Sequence, residues 1–355
     1  MTFEPDYRIV VDAATNKKPS RLPIYEHAID ESIMATVLDV DMSLQSENIS
    51  DLSGHYAKVC QFWKNMTYDT VSFEAQICPI LPDHGAILGG RPGPIQNRED
   101  FEKYPFSEFP EIFWNKWEPH LQALSSEMPN GMKALGGCGY GIFEISEDLV
   151  GFEYLCLLQQ DDPELFSDLF LKIGDLMITL WSRLLDRFGD LFAVCRMGDD
   201  LGFKSSTLMA PTTIIQHILP QYRRIIALVH GAGKPFLLHS CGKIFSVMEE
   251  IIATGIDAKH SNEDQIAPFA QWIERYNDRI GLFGGIDVDL LCRNDPKTVY
   301  EEVLLRGTEY RRMSKGFALG SGNSIPHYVP ADSYLAMIDA AREIRRRELN
   351  RSRPA

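Results

Sequence analysis

His239 and Cys241 stand two positions apart at the end of the apolar run Phe236-Leu237-Leu238, which follows Pro235. Side chains two apart on an extended chain point to the same face. The imidazole and the thiol therefore converge on one point, as two ligands of a metal ion do. After the next strand-like run come Ser261, Asn262, Glu263 and Asp264. Neighbouring strand ends lie side by side in a parallel α/β fold, which brings a carboxylate within reach of the pair, and Glu263 is the expected third ligand. Imidazole, thiolate and carboxylate suit zinc. Three protein ligands leave one position open, where the metal lowers the pKa of a bound thiol or water. The last strand-like run offers Ser321, between two glycines, and then His327 for the remaining corner. Serine is a poor zinc ligand.

Other polar residues follow strand-like runs in the same way. Asp199 and Asp200 come after the run over residues 191–195. They read either as a general acid/base pair with one raised pKa or as helix caps. Glu26, His27 and Asp30 follow residues 21–25 and read as rim chemistry or as a solvated turn. Asp287 follows Gly284 and Gly285, where it binds a substrate or fixes a tight turn.

The elements that would carry these residues are eight strand candidates, at residues 21–25, 70–76, 133–137, 191–195, 236–238, 256–260, 280–285 and 317–319. Helical periodicity separates the later ones. It is plainest after Asp162-Pro163, where Phe166, Leu169, Ile173, Leu176, Leu180 and Leu184 recur every three or four residues. This alternation predicts an α/β protein, a (β/α)8 TIM barrel with its site at one rim; an open doubly wound sheet is the rival. The expected layout is one domain over residues 21–349, with a polar N-terminal arm at 1–20, a tail at 350–355 and loop insertions. One insertion, rich in Gly and Pro near residues 83–93, lacks the glycine and lysine pattern of a phosphate cradle.

Composition bounds the rest. The chain has 355 residues and a net charge of -15, which argues against nucleic acid or an anionic membrane as a partner. No apolar run is long enough to span a bilayer, so the expected location is the cytoplasm. Seven scattered cysteines do not form a disulfide framework.

Five segments in order resemble the uroporphyrinogen decarboxylase superfamily, from about residue 21 to residue 345. They are Arg21-Leu-Pro-Ile-Tyr25, Gly198-Asp-Asp-Leu-Gly202, the run from Gly233 to Gly242, Gly284-Gly-Ile-Asp287, and Gly320-Ser-Gly-Asn-Ser-Ile-Pro326. The resemblance implies a (β/α)8 barrel and one of two activities. The decarboxylases carry arginines after the first strand, an aspartate after the second and a Gly-His-Gly near the end. Here Glu26, Asp30 and Glu31 stand where arginines would, Gln76 replaces the aspartate, and Ser321 replaces the histidine. Acids at that place repel a carboxylate-rich substrate.

The superfamily's methyltransferases carry His-x-Cys after the fifth strand, a carboxylate, and a second cysteine in a final Gly-Cys-Gly. His239, Cys241 and Glu263 match that pattern, and Ser321 departs from it. The His-x-Cys and Glu spacing is also similar to that of cobalamin-independent methionine synthase. The resemblance thus implies a zinc methyltransferase that moves a methyl group between a corrinoid (methylcobamide) protein and a small thiol or folate acceptor. On this reading Asp199, Asp200, His27 and Glu26, placed at strand ends, are the catalytic candidates, and Asp287, Ser321 and Asn323 the cofactor-binding ones. The alternatives are a uroporphyrinogen decarboxylase-like lyase and a non-catalytic barrel that binds a corrinoid or tetrapyrrole.

Overall fold

The computed structural model describes residues 3–351, so the last four residues of the expected tail lie outside it. Seven strands form one parallel sheet in sequence order: β1 (Thr70–Gln76), β2 (Lys133–Gly139), β3 (Phe192–Gly198), β4 (Phe236–His239), β5 (Ala258–His260), β6 (Gly281–Ile286) and β7 (Phe317–Ser321). β3 to β7 are buried along their whole length, as expected of a parallel sheet covered on both faces. The register sets strand ends beside one another. Gly198 pairs with His239, His239 with His260, and Ile286 with Ser321.

The sheet curls. Tyr25, Leu135, Val194, Leu237, Ala258, Phe283 and Ala318, from six strands and the segment before them, meet in one apolar cluster inside it. The expected first strand departs from the sequence reading. Residues 21–25 contribute only an isolated bridge, Ile24 to Leu319, supported by Tyr25 N–H to Leu319 O at 2.9 Å and Leu319 N–H to Pro23 O at 3.0 Å. Pro23 has no N–H to extend a ladder. Among the described residues no backbone hydrogen bond joins this segment to β1. The fold is therefore a curled, TIM-barrel-like sheet of seven strands with a seam, rather than a hydrogen-bonded ring of eight.

The polar arm expected at residues 1–20 contains a helix, Arg8–Ala14, whose Val10, Ala13 and Ala14 are wholly buried against the inner cluster. It lies so close to the start of β6 that a Cβ on Gly281 would sit 2.3 Å from Ala13 O. The helix plugs the N-terminal end of the curled sheet and leaves the C-terminal end for the polar residues.

The outer helices follow their periodicity. Pro163–Phe188 is capped by Asp162, which accepts from Leu165 N–H, and it buries the predicted stripe. Its Trp181 ring occupies the space where a Cβ on Gly137 would lie, 2.1 Å away. Pro220 does divide the next helical stretch: a π-turn, Ile214–Ile218, precedes the helix Leu219–Gly231, which carries the proline in its first turn. The helix expected over residues 244–252 shrinks to Met248–Ile252, with a turn before it.

Candidate metal and active site

β4 ends at His239, and the chain then turns sharply. Gly242 has φ 83°, and a Cβ there would lie 2.1 Å from the Gly202 backbone. Only glycine fits. This contact lays the loop after β3 against the loop after β4. Asp200 Oδ1 accepts the Cys241 N–H at 2.8 Å and stands 3.7 Å from His239 Nε2. Cys241 Sγ is 3.4 Å from the same nitrogen. The three donor atoms of Asp200, His239 and Cys241 all lie within 4.8 Å of one another. The structure thus brings together the pair expected from its spacing.

The carboxylate in this group is Asp200. Glu263 belongs to neither group of metal-capable side chains among the described residues. It lines an adjoining cavity of about 360 Å³ with Lys204, Asn262, Asp287 and Asn323. His327 is exposed and also belongs to neither group.

The second group is His27, His239 and His260. His27 stacks on His239 with ring centroids 3.9 Å apart, and its Nε2 is 3.6 Å from Glu74 Oε2. His239 Nδ1 and His260 Nδ1 are hydrogen-bonded at 2.7 Å. Burial pushes all three imidazoles down, His260 to about 3, so all three are neutral at physiological pH. Burial first, and then the Asp200 charge, push the Cys241 thiol up. A thiolate here therefore needs a cation beside it.

Two donors already face the sulfur. Ser261 Oγ lies 3.3 Å from Cys241 Sγ and Asn323 Nδ2 3.5 Å from it. Ser261 is a non-glycine residue at φ 93°, a costly conformation that the surroundings must hold. The holder is Lys259, whose ammonium bonds the Ser261 carbonyl and lies 3.9 Å over the Trp272 ring. Burial pushes this lysine down to about 7.

Ser321 is wholly buried. Its N–H donates to Glu26 Oε1 at 2.8 Å, its Oγ bonds Glu26 Oε2 and lies 3.1 Å from Asn323 O. Burial pushes Glu26 up to about 8, so its carboxyl is neutral at pH 7 and its proton can bridge Oε2 and Oγ. Glu26, Ser321 and Asn323 thus form a polar chain leading to Cys241.

The remaining candidates hold structure. Asp199 is fully buried and accepts from Phe143 N–H at 3.0 Å, Glu144 N–H at 2.9 Å and Tyr222 O–H at 2.6 Å. From just past the end of β3 it caps the helix Ile142–Val150 that follows the neighbouring β2, and burial pushes it up to about 6. Asp287 caps Val288–Arg293 and also accepts Asp264 N–H at 2.6 Å. Asp30 caps Glu31–Leu38.

Sequence reading missed His260, Lys259, Ser261, Glu74 and Arg196. Arg196 is buried and bonds Glu74 Oε1 at 2.9 Å, Ser72 Oγ at 2.9 Å and Tyr25 Oη at 3.1 Å. A signal existed, since Arg196, Lys259 and His260 are polar residues inside or at the edge of otherwise apolar runs. Beside His27 lies a second cavity, of about 270 Å³, walled by Tyr56, Phe73 and Trp117 with Arg196 and Glu74 among its polar residues.

The uroporphyrinogen decarboxylase (URO-D) family matches residues 92–344, well over half of the chain. No curated protein matches the sequence. Among solved structures, a methyltransferase from Methanosarcina mazei superposes with a TM-score of 0.71 at 13% identity, covering 96% of this chain and 99% of that one. At that identity the likeness is one of fold, and it extends over nearly the whole chain. The matched residues include β2 to β7 with Asp200, His239, Cys241, His260 and Ser321, so the chain belongs to the uroporphyrinogen decarboxylase (URO-D) family.

Proposed function

We propose that this chain is a zinc-dependent methyltransferase that moves a methyl group between a corrinoid protein and a small thiol or folate acceptor. The observation that carries the reading is the convergence of Asp200, His239 and Cys241. One carboxylate, one imidazole and one thiol within 4.8 Å form a zinc donor set with a position left open. The three-histidine group is the poorer holder, because two of its rings already spend their Nδ1 atoms on each other. The methyltransferase fold neighbour supports the choice of reaction over decarboxylation.

Zinc in this position supplies a Lewis acid that lowers the pKa of an acceptor thiol. The chain's own residues do the rest. Asp200, as the most exposed of the three donors, faces the solvent side, and its charge balances the metal. Ser261 and Asn323 hold the Cys241 sulfur by hydrogen bonds. Asn262, Asn323 and Asp287 line the larger cavity, which has room for the acceptor. His27 walls the metal group off from the aromatic cavity.

The test is metal content followed by turnover. Purified protein is expected to hold zinc at one ion per chain, to lose it in Cys241→Ala, and to methylate a thiol or a folate with methylcobalamin as donor. A metal-free protein that decarboxylates uroporphyrinogen would overturn the proposal. Zinc without turnover on either acceptor class would favour a binding role.

A further inference from the structure

We infer that His260 is a positioning residue for the metal site, setting the tautomer and orientation of His239 through a relay that begins at the Ser321 backbone carbonyl. The inference rests on the proposed metal reading for its purpose, though not for its geometry. Ser321 O is 3.0 Å from His260 Nε2, and a carbonyl only accepts. His260 Nε2 therefore carries the hydrogen. In a neutral ring, as burial among Tyr25, Phe283 and His239 requires, Nδ1 then has the lone pair. Its partner at 2.7 Å is His239 Nδ1, which must be the donor. The proton of His239 is thereby placed on Nδ1, and its Nε2 is left with a lone pair. That is the nitrogen 3.4 Å from Cys241 Sγ and 3.7 Å from Asp200 Oδ1.

Each link of the relay is held in place. β4 and β5 put His239 and His260 opposite one another in register. Gly284, at φ 106°, leaves room for the His260 ring, since a Cβ there would lie 3.3 Å from His260 Cδ2 and 2.9 Å from Ser321 O. Tyr25 packs edge-on to the ring at 4.8 Å. Glu26 grips both the N–H and the hydroxyl of Ser321, which fixes the residue whose carbonyl starts the chain. Ser321, which as a hydroxyl is a poor ligand, thus acts on the metal position through its main chain, two imidazoles away. A ligating histidine needs such an outer partner for its other nitrogen; here the partner is a second histidine whose own tautomer is set by a third group.

The relay is read first in metal-free protein, by long-range proton–nitrogen NMR of the histidine rings. Wild type is expected to show His239 protonated at Nδ1 and bare at Nε2, and His260 the reverse. Zinc affinity is then measured by competition with a chelator. His260→Leu removes the acceptor and is expected to weaken zinc by roughly 10- to 100-fold, with His239 shifting toward the Nε2–H form. His260→Asn, which keeps an acceptor near the Nδ1 position, is expected to recover most of the loss. Wild-type His239 found protonated at Nε2 would overturn the inference, as would a folded His260→Leu protein with zinc affinity within twofold of wild type. If the leucine variant does not fold, the wild-type tautomers and the asparagine variant still decide. If the tautomers are as stated but wild type binds no zinc, the relay stands and the metal reading fails.

Discussion

Burial and a neighbouring carboxylate both disfavour the thiolate form of Cys241, so an anion there needs a cation beside it. Its single-residue tests separate the geometry from the spacing argument. Cys241→Ala and Asp200→Asn are each expected to weaken zinc by more than the roughly 10- to 100-fold that losing an outer partner brings. Glu263→Gln is expected to leave affinity unchanged, by the same chelator competition. His239 and Cys241 were legible because strand alternation alone aligns them. Asp200 rather than Glu263 completes the group because Gly242 packs on Gly202, a contact across loops that no local pattern announces. Glu26 gives a second test, in pH. Its folded pKa is about 8 against an ordinary value near 4.5, so the folded state keeps a proton that the unfolded chain has lost. The stabilisation is complete below pH ~4.5 and declines by about 1.4 kcal/mol per pH unit toward pH ~8. Glu26→Gln lacks that decline. Denaturant midpoints of the two proteins, compared from pH 5 to pH 8, should converge or cross as pH rises; a constant difference would rule out the raised carboxyl.

At the scale of elements, the helix Ile142–Val150 hangs on a carboxylate from another strand. Asp199→Ala leaves two helix N–H groups and the buried Tyr222 hydroxyl without their acceptor, at a cost of about 2–4 kcal/mol. Chemical denaturation of the variant measures it, and a loss under ~0.5 kcal/mol would contradict the capping role. The capping alternative was visible from the residue type, but its helix was not, because the capped turn lies more than fifty residues upstream in sequence. Seven of the eight strand candidates form strands in the sheet, those over residues 191–195, 236–238 and 280–285 legible as largely apolar runs with polar residues just after them. The eighth was overread: its apolar content is that of a strand, but Pro23 cannot donate. The opposite error was made at Arg8–Ala14, where charged residues on one face concealed the Val10, Ala13 and Ala14 face that plugs the sheet.

At the scale of the whole molecule, a metal held by Asp200, His239 and Cys241 would link the ends of β3 and β4 in the folded state only. Zinc at 100 times its dissociation constant should add about 2.7 kcal/mol to stability, seen as a raised melting temperature that a chelator reverses. No helix among the described residues is long and apolar enough to cross a membrane. The seam between residues 21–25 and β1 has a kinetic consequence. Side chains close it: Ser72 Oγ bonds His27 O, Arg196 reaches both Tyr25 and Ser72, and Arg21 and Arg345 share Asp69. Backbone protection therefore lies on one side of this segment alone. In deuterated water the Tyr25 and Asp30 amides, bonded to Leu319 O and Ile325 O, should exchange by local breathing, well before amides inside β3, which await global unfolding. Equal rates would show the seam to be as tight as a ladder. Glu26 and His27 ride on this latch, so the site's walls belong partly to the slowest and partly to the fastest parts of the sheet, and a ligand that grips His27 would register first as slowed exchange at Tyr25.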